Sequence, residues 1–316
     1  MIDNISLQFN DKKVVEDWYL ANKEKFPITQ KRSLETKESQ IITYPIVSKR
    51  ENLELRITEK QAILQGSIHK YYNYLKYRDF TARDTENREY DYLIDNNYND
   101  FYLLENIIAL EELKDFFDGL DLSETKITSL EFGFNLEVEK NPTTYLDFNF
   151  LLYEYKPPFK NYDTYNMRFT KFLHNKFMFK VYDKKRQKQL YKNILRVEIV
   201  LKQIHLKEIG ILNFNDLLNE NNFEKLYQLF QEKFNNFILI DNRHEEKSLV
   251  SKMRIIIGDY LEPSYWRHRK GKPNLNRYKK RFQEIVKNED LLKTKQYFQN
   301  LLHSKFEELF FGVVYL

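Results

Sequence analysis

The chain has 316 residues, 42% hydrophobic and 31% charged, with a formal net charge of +4; this is the composition of a globular protein with room for two domains or one large one. It has no cysteine, which excludes disulfides and thiolate metal sites, and no apolar run approaching the roughly 18 residues of a membrane-spanning helix. Its glycines are few and unclustered, so Walker A and dinucleotide-binding loops are missing, and with them the case for an ATPase or a Rossmann dehydrogenase.

The first residues, MIDNISLQFNDKK, lack the basic segment and apolar core of a signal peptide, so a cytoplasmic protein without a membrane partner is expected. Residues 3–9, 41–47, 52–58 and 61–66 are short, β-rich and separated by polar breaks, and predict strands. Residues 67–77 open a helix or a loop, and the acidic stretch 80–100 reads as a loop or insertion. Apolar residues at three- and four-residue spacing predict a helix over 102–118, with Gly119 as its C-terminal cap. Residues 127–138 alternate strictly: Leu130, Phe132, Phe134, Leu136 and Val138 share one face, and Glu131, Asn135 and Glu137 share the other. A second long strand is expected over 144–155, with Asp147 and Asn149 on its less apolar face, ending at Pro157-Pro158. Tyr162 and Tyr165 fall on what reads as a loop. Residues 177–182 and 194–202 are two further strands, and beyond 205 the pattern is helical over roughly 214–219, 222–238, 246–257, 274–287 and 291–309.

Strands and helices are segregated, so the class is α+β: antiparallel sheets with packed helices, then an all-helical C-terminal region. The expected segments are 1–120, 121–212 with the candidate site, and 213–316, basic at 261–282. Strand pairs near basic or aromatic segments at 52–74 and 128–183 are compatible with an internal duplication.

Charge is uneven. Seven basic residues stand against Asp183 between Lys180 and Arg196, and seven against Glu262 between Leu261 and Lys280. Such clusters suit a polyanion. In the strand 177–182, Met178, Lys180 and Tyr182 share the polar face; in 194–202, Arg196, Glu198 and Lys202 do. Pairing these strands over one core sets Lys180 and Tyr182 on the side of Arg196 and Glu198. Carboxylates and amides can hold Mg2+ or Mn2+, cations clamp a phosphate, and a tyrosine hydroxyl beside a cation such as Lys180 can attack phosphorus and form a covalent intermediate. In the C-terminal region, aromatics alternate with basic residues: Trp266 and Tyr278 could stack on bases while Arg267, Arg269, Lys270, Lys272, Arg277 and Lys279 meet phosphates. His69 and Lys70, beside the Gly66-Ser67 turn, could also touch DNA.

"FKVYDK" (179–184), followed by "LRVEIVLK" (195–202) and "LKEIGI" (206–211), resembles the rolling-circle replication initiators of phages and plasmids, the filamentous-phage gene II/X type and related Rep nickases. "LQGSIHKYYN" (64–73) is similar to another segment of phage-type members, and "TSLEFGFNLEV" (128–138) stands where they carry an acidic strand. The resemblance implies a site-specific DNA nickase-ligase that cuts an origin strand, stays joined to the 5′ phosphate through tyrosine, and depends on Mg2+ or Mn2+. It implies Tyr182 as nucleophile, with Tyr162 and Tyr165 as alternatives; Lys180 or Lys184 as basic partner; Glu131, Asn135 and Glu198 as metal ligands; and Arg196 as a phosphate or structural contact. Its partners would be single- and double-stranded origin DNA, with a host helicase, a single-strand-binding protein and a second copy of the chain as further expectations. The superfamily often binds metal through His-x-His, whereas the six histidines here are isolated, so carboxylate ligands are expected. The alternative is a non-catalytic DNA-binding protein that keeps the initiator fold and has lost its metal site.

Overall fold

The computed structural model describes residues 1–25, 28–30, 46–50, 52–81, 99–241 and 251–312. The expected strand residues 41–45, most of the acidic stretch (82–98) and the start of the 246–257 helix lie outside them. The class is α+β, with antiparallel strands, packed helices and a helical C-terminal region. The chain divides into two compact units: residues 1–133, 200–226 and 309–313, and residues 134–199, 227–308 and 314–316.

In the first unit, β1 (Ile2–Gln8) lies between β5 (Ala62–Ser67) and β6 (Lys126–Glu137). The antiparallel order runs outward from β5 through β4 (Leu53–Ile57) and β3 (Ile46–Arg50) to β2 (Ile28–Gln30). Alternation buries Ile5 and Leu7 of β1 and Leu53, Leu55 and Ile57 of β4. Helix α1 (Lys12–Ala21) is an addition to the expected elements, although Val15, Trp18 and Tyr19 stand at helical spacing and are buried; it starts where Asp11 accepts from the backbone N–H groups of Lys13 and Val14. Helix α2 (Ile68–Thr81) resolves the helix-or-loop alternative for 67–77. The Ser67 hydroxyl accepts from Lys70 N at 3.1 Å and caps its first turn. Helix α3 (Leu103–Phe116) ends as expected before Gly119, at φ +86°.

Gly66 fixes the entry to α2. A Cβ there would lie 2.2 Å from the Asn52 carbonyl oxygen and 2.9 Å from the Leu53 Cα, both backbone atoms, on a residue at φ +156°. Gly66→Ala is therefore expected to cost more than about 1 kcal/mol, read as a lower urea midpoint than wild type.

In the second unit the order is β6, β11 (Ile194–Lys202), β10 (Phe177–Asp183), β9 (Met167–Leu173) and β8 (Lys160–Thr164). β6 and β11 contribute residues to both units. The aromatic richness is spent on this core: Tyr153 packs against Phe172, Phe179 and Phe237, and Phe150 against Phe234, Phe237 and Phe298. α7 (Asn221–Phe234), which begins in the first unit, supplies Phe230 and Phe234 from its second-unit end. Between α5 (Lys184–Lys188) and α7 come α6 (Gln203–Glu208) and a 3-10 turn at Phe214–Leu218. The C-terminal helices are α8 (Ser251–Leu261), α9 (Pro263–Arg269), α10 (Leu275–Asn288) and α11 (Lys293–Phe311).

Two expectations are corrected here. Residues 144–155 are not a long strand: α4 (Pro142–Phe148) occupies their first part, and only β7 (Leu152–Tyr153), paired with β12 (Phe237–Ile238), is extended. Asn141 accepts from Thr143 N and Pro142 sits at the first helical position, start signals that override the alternation downstream. Tyr162 and Tyr165 do not lie on an irregular loop. Tyr162 is in β8, and Tyr165 is in the turn to β9, because 160–173 form a hairpin with Thr164 opposite Met167.

Candidate active site

β10 carries the greater part of the FKVYDK motif. Phe177, Phe179 and Val181 point into the core, and Met178, Lys180 and Tyr182 are half-buried on the other face. β11 places Leu195, Val197 and Ile199 in the same core. Its polar side chains are also enclosed: Arg196 and Glu198 are each 3% exposed. Alternation sets the face a residue takes but not how much its neighbours cover.

Burial of two charges is tolerated because they are paired. Glu198 Oε2 accepts from Arg196 Nε at 2.7 Å, and Lys180 Nζ stands 2.9 Å from Glu198 Oε1. The Tyr182 hydroxyl donates to Glu198 Oε2 at 3.4 Å. One carboxylate thus gathers the tyrosine, the lysine and the arginine of the two motifs. Arg196 Nη1 donates to Asn135 Oδ1 at 3.0 Å, so the amide expected to replace a metal-ligating acid is turned to a guanidinium. Arg196 is correspondingly a buried partner of Glu198 and Asn135. Lys184 is fully buried as the first residue of α5. Asp183 caps that helix through Arg186 N and accepts from Thr143 Oγ1.

In the first unit, Asp3 and Glu131 offer carboxylate oxygens within 4.8 Å of one another. Asp3 is 4% exposed and accepts from Ser67 Oγ at 2.6 Å; Glu131 accepts from Asn4 Nδ2 at 2.6 Å. Asp3 was missed in the sequence; the signal was an acid inside an otherwise core-forming strand. Carboxylate oxygens such as those of Asp3 and Glu131 in the first unit are hard donors that fit Mg2+ or Mn2+; in the second unit Asn135, held by Arg196, fits poorly.

Three other tyrosines are disfavoured as nucleophiles: burial raises the phenols of Tyr145, Tyr153 and Tyr227 well above the ordinary tyrosine value. The remaining sequence candidates scatter. His69 is 2% exposed and stacked on Phe101 at 4.4 Å, so it is an interior residue and not a DNA contact; Lys70 beside it is half-buried. Trp266 is also corrected: its indole lies in a helical core with Tyr260 and Phe282 and donates to Tyr260 O at 2.6 Å, leaving no face for a base. Arg269 is held against the rings of Tyr265 and Tyr278, 3.8 and 4.4 Å from their centres. Lys279 Nζ lies 4.8 Å from the Tyr155 ring. Arg267, Lys270, Lys272 and Arg277 are exposed.

No family model matches the chain, and no curated protein does. Among solved structures, it is similar to a rolling circle replication initiator protein from Geobacillus stearothermophilus, at 12% identity and a TM-score of 0.39, over 83% of this chain and 96% of that one.

Proposed function

We propose that this protein initiates DNA replication by nicking and rejoining one strand through Tyr182, as do the rolling-circle initiators its motifs resemble. The observation that carries this reading is the Tyr182 hydroxyl on a carboxylate, Glu198, that also holds Lys180 and Arg196. The Tyr182 oxygen attacks phosphorus and forms the new O–P bond. The phenol proton passes to Glu198 Oε2, the P–O3′ bond breaks, the 3′ oxygen takes up a proton from water, and the 5′ phosphate stays on the tyrosine. Glu198 Oε2, which already accepts the hydroxyl hydrogen, aims the oxygen, and Lys180 stabilises negative charge as it develops there. Attack by a 3′ hydroxyl on the phosphotyrosine reverses the step and rejoins the strand. Asp3 and Glu131 of the first unit would hold Mg2+ or Mn2+, which when bound neutralises phosphate charge. Arg267, Lys270, Lys272 and Arg277, all exposed, would meet the phosphates of origin DNA.

One observation favours a second reading, a DNA-binding protein without nicking activity: Glu198 already carries two cations, and Asn135 accepts from one of them. The test is covalent capture. Labelled single-stranded origin DNA is incubated with the protein and Mn2+ and run on a denaturing gel. An adduct that disappears with EDTA and returns with excess Mn2+ is expected; tight binding with no adduct would install the second reading instead.

A further inference from the structure

The registers of β8, β9 and β10 place six side chains in two rows across three neighbouring strands. Tyr162 is opposite Phe169, and Phe169 is opposite Tyr182. Two residues along each strand, Lys160 is opposite Lys171, and Lys171 is opposite Lys180. Residues directly opposite in an antiparallel pair share a face, so an aromatic row and a lysine row run side by side, both ending on β10 at the residues that meet Glu198.

Three lysines in line are not what a sheet selects for itself, since like charges directly opposite destabilise the pair. Glu198 meets the Lys180 end of the row. The aromatics are available: Tyr162 is 37% exposed, and its ring is stacked on Phe169, with centres 5.3 Å apart and planes 12° from parallel. Lys160 Nζ lies 4.2 Å from the Tyr162 ring and Lys171 Nζ 5.0 Å from the Phe169 ring. Each cation therefore reaches the aromatic beside it. Neighbouring strands are about 4.8 Å apart, and the rows are offset by about 7 Å along the strands. The first spacing suits successive bases, and the second suits the distance from a base to its own phosphate.

We infer that the outer face of the β8–β10 sheet is a track for single-stranded DNA, with bases stacking on Tyr162 and Phe169 and phosphates on Lys160 and Lys171, leading the strand to Tyr182. It rests on the nicking reading only for where the track leads; the track itself is a binding site without chemistry.

The experiment is fluorescence anisotropy with labelled oligo(dT) in EDTA, across a salt series, for wild type and for Tyr162→Ala, Phe169→Ala, Lys160→Ala and Lys171→Ala. Tyr162→Ala is expected to weaken binding about tenfold with an unchanged salt slope, and each lysine substitution to lower the salt slope by about 0.7. Tyr162→Trp, which keeps a stacking surface, should bind like wild type and guards against a misfolded Tyr162→Ala. Wild-type affinity in all four alanine variants, or tighter binding of a duplex of equal length, overturns the inference. Binding that depends on these residues without a covalent adduct would leave the track standing and remove the nicking reading. An adduct formed equally by all four variants would do the opposite.

Discussion

Tyr182→Phe is expected to abolish the covalent protein–DNA adduct while leaving oligo(dT) binding and stability close to wild type. The substitution removes one oxygen and keeps the ring in the aromatic row of β8–β10. The hydroxyl makes a long hydrogen bond, 3.4 Å to Glu198, so its loss costs no more than about 1 kcal/mol, and Glu198 keeps both cations. The loss of chemistry is total because phenylalanine has no nucleophile to offer. Tyr162→Phe and Tyr165→Phe, which sit in and beside β8, should form the adduct normally. An adduct that survives Tyr182→Phe and vanishes in one of those two would move the nucleophile to the hairpin and keep the function.

Glu198→Gln should be the most damaging single change in the second unit. The carboxylate and the Arg196 guanidinium have side chains 4% exposed, and Lys180 is 17% exposed. Neutralising the acid strands an enclosed arginine, a loss of about 3–5 kcal/mol, seen as a fall in the urea midpoint together with loss of the adduct. Because instability alone would also remove activity, the informative control is the double change Arg196→Met with Glu198→Leu. Replacing both by apolar groups of similar size removes the two enclosed charges and takes the Glu198 carboxylate only from Lys180, whose side chain is 17% exposed, so most of the stability should return. The adduct should not, since the Tyr182 hydroxyl has then lost the Glu198 carboxylate. A double variant that nicks like wild type would show that Glu198 has no part in the chemistry.

Much of this was legible in residue alternation. The strands at 127–138, 177–182 and 194–202 read correctly because each carries an unbroken period of two, and the same period put Lys180, Tyr182, Arg196 and Glu198 on one side of the sheet. What alternation could not convey was enclosure. Arg196 and Glu198 looked solvent-facing and are buried, because β11 is flanked on both sides and its charges neutralise one another. Alternation misled at 144–155, where Asn141 and Pro142 start a helix. The hydrophilic run at 160–164 hid a strand, since every side chain of β8 is exposed. Asp3 escaped notice because its role depends on Glu131, far away in sequence. Trp266 was misjudged because a tryptophan among basic residues looks the same whether its ring faces solvent or fills a core.

β8 is the terminal strand of its sheet among the described residues, and this bears on how the sheet guards its edge. A terminal strand offers backbone groups that another chain can zip onto, the first step of aggregation. β8 is only five residues long and carries Lys160 and Asp163. Arg186 clamps its tip, donating to Asp163 Oδ1 at 2.7 Å and to Tyr165 O at 2.9 Å. Short length, charge and a pinned turn are the devices that blunt such an edge. Lys160 would thus serve twice, as a phosphate contact of the inferred track and as a charge set against intermolecular β-pairing.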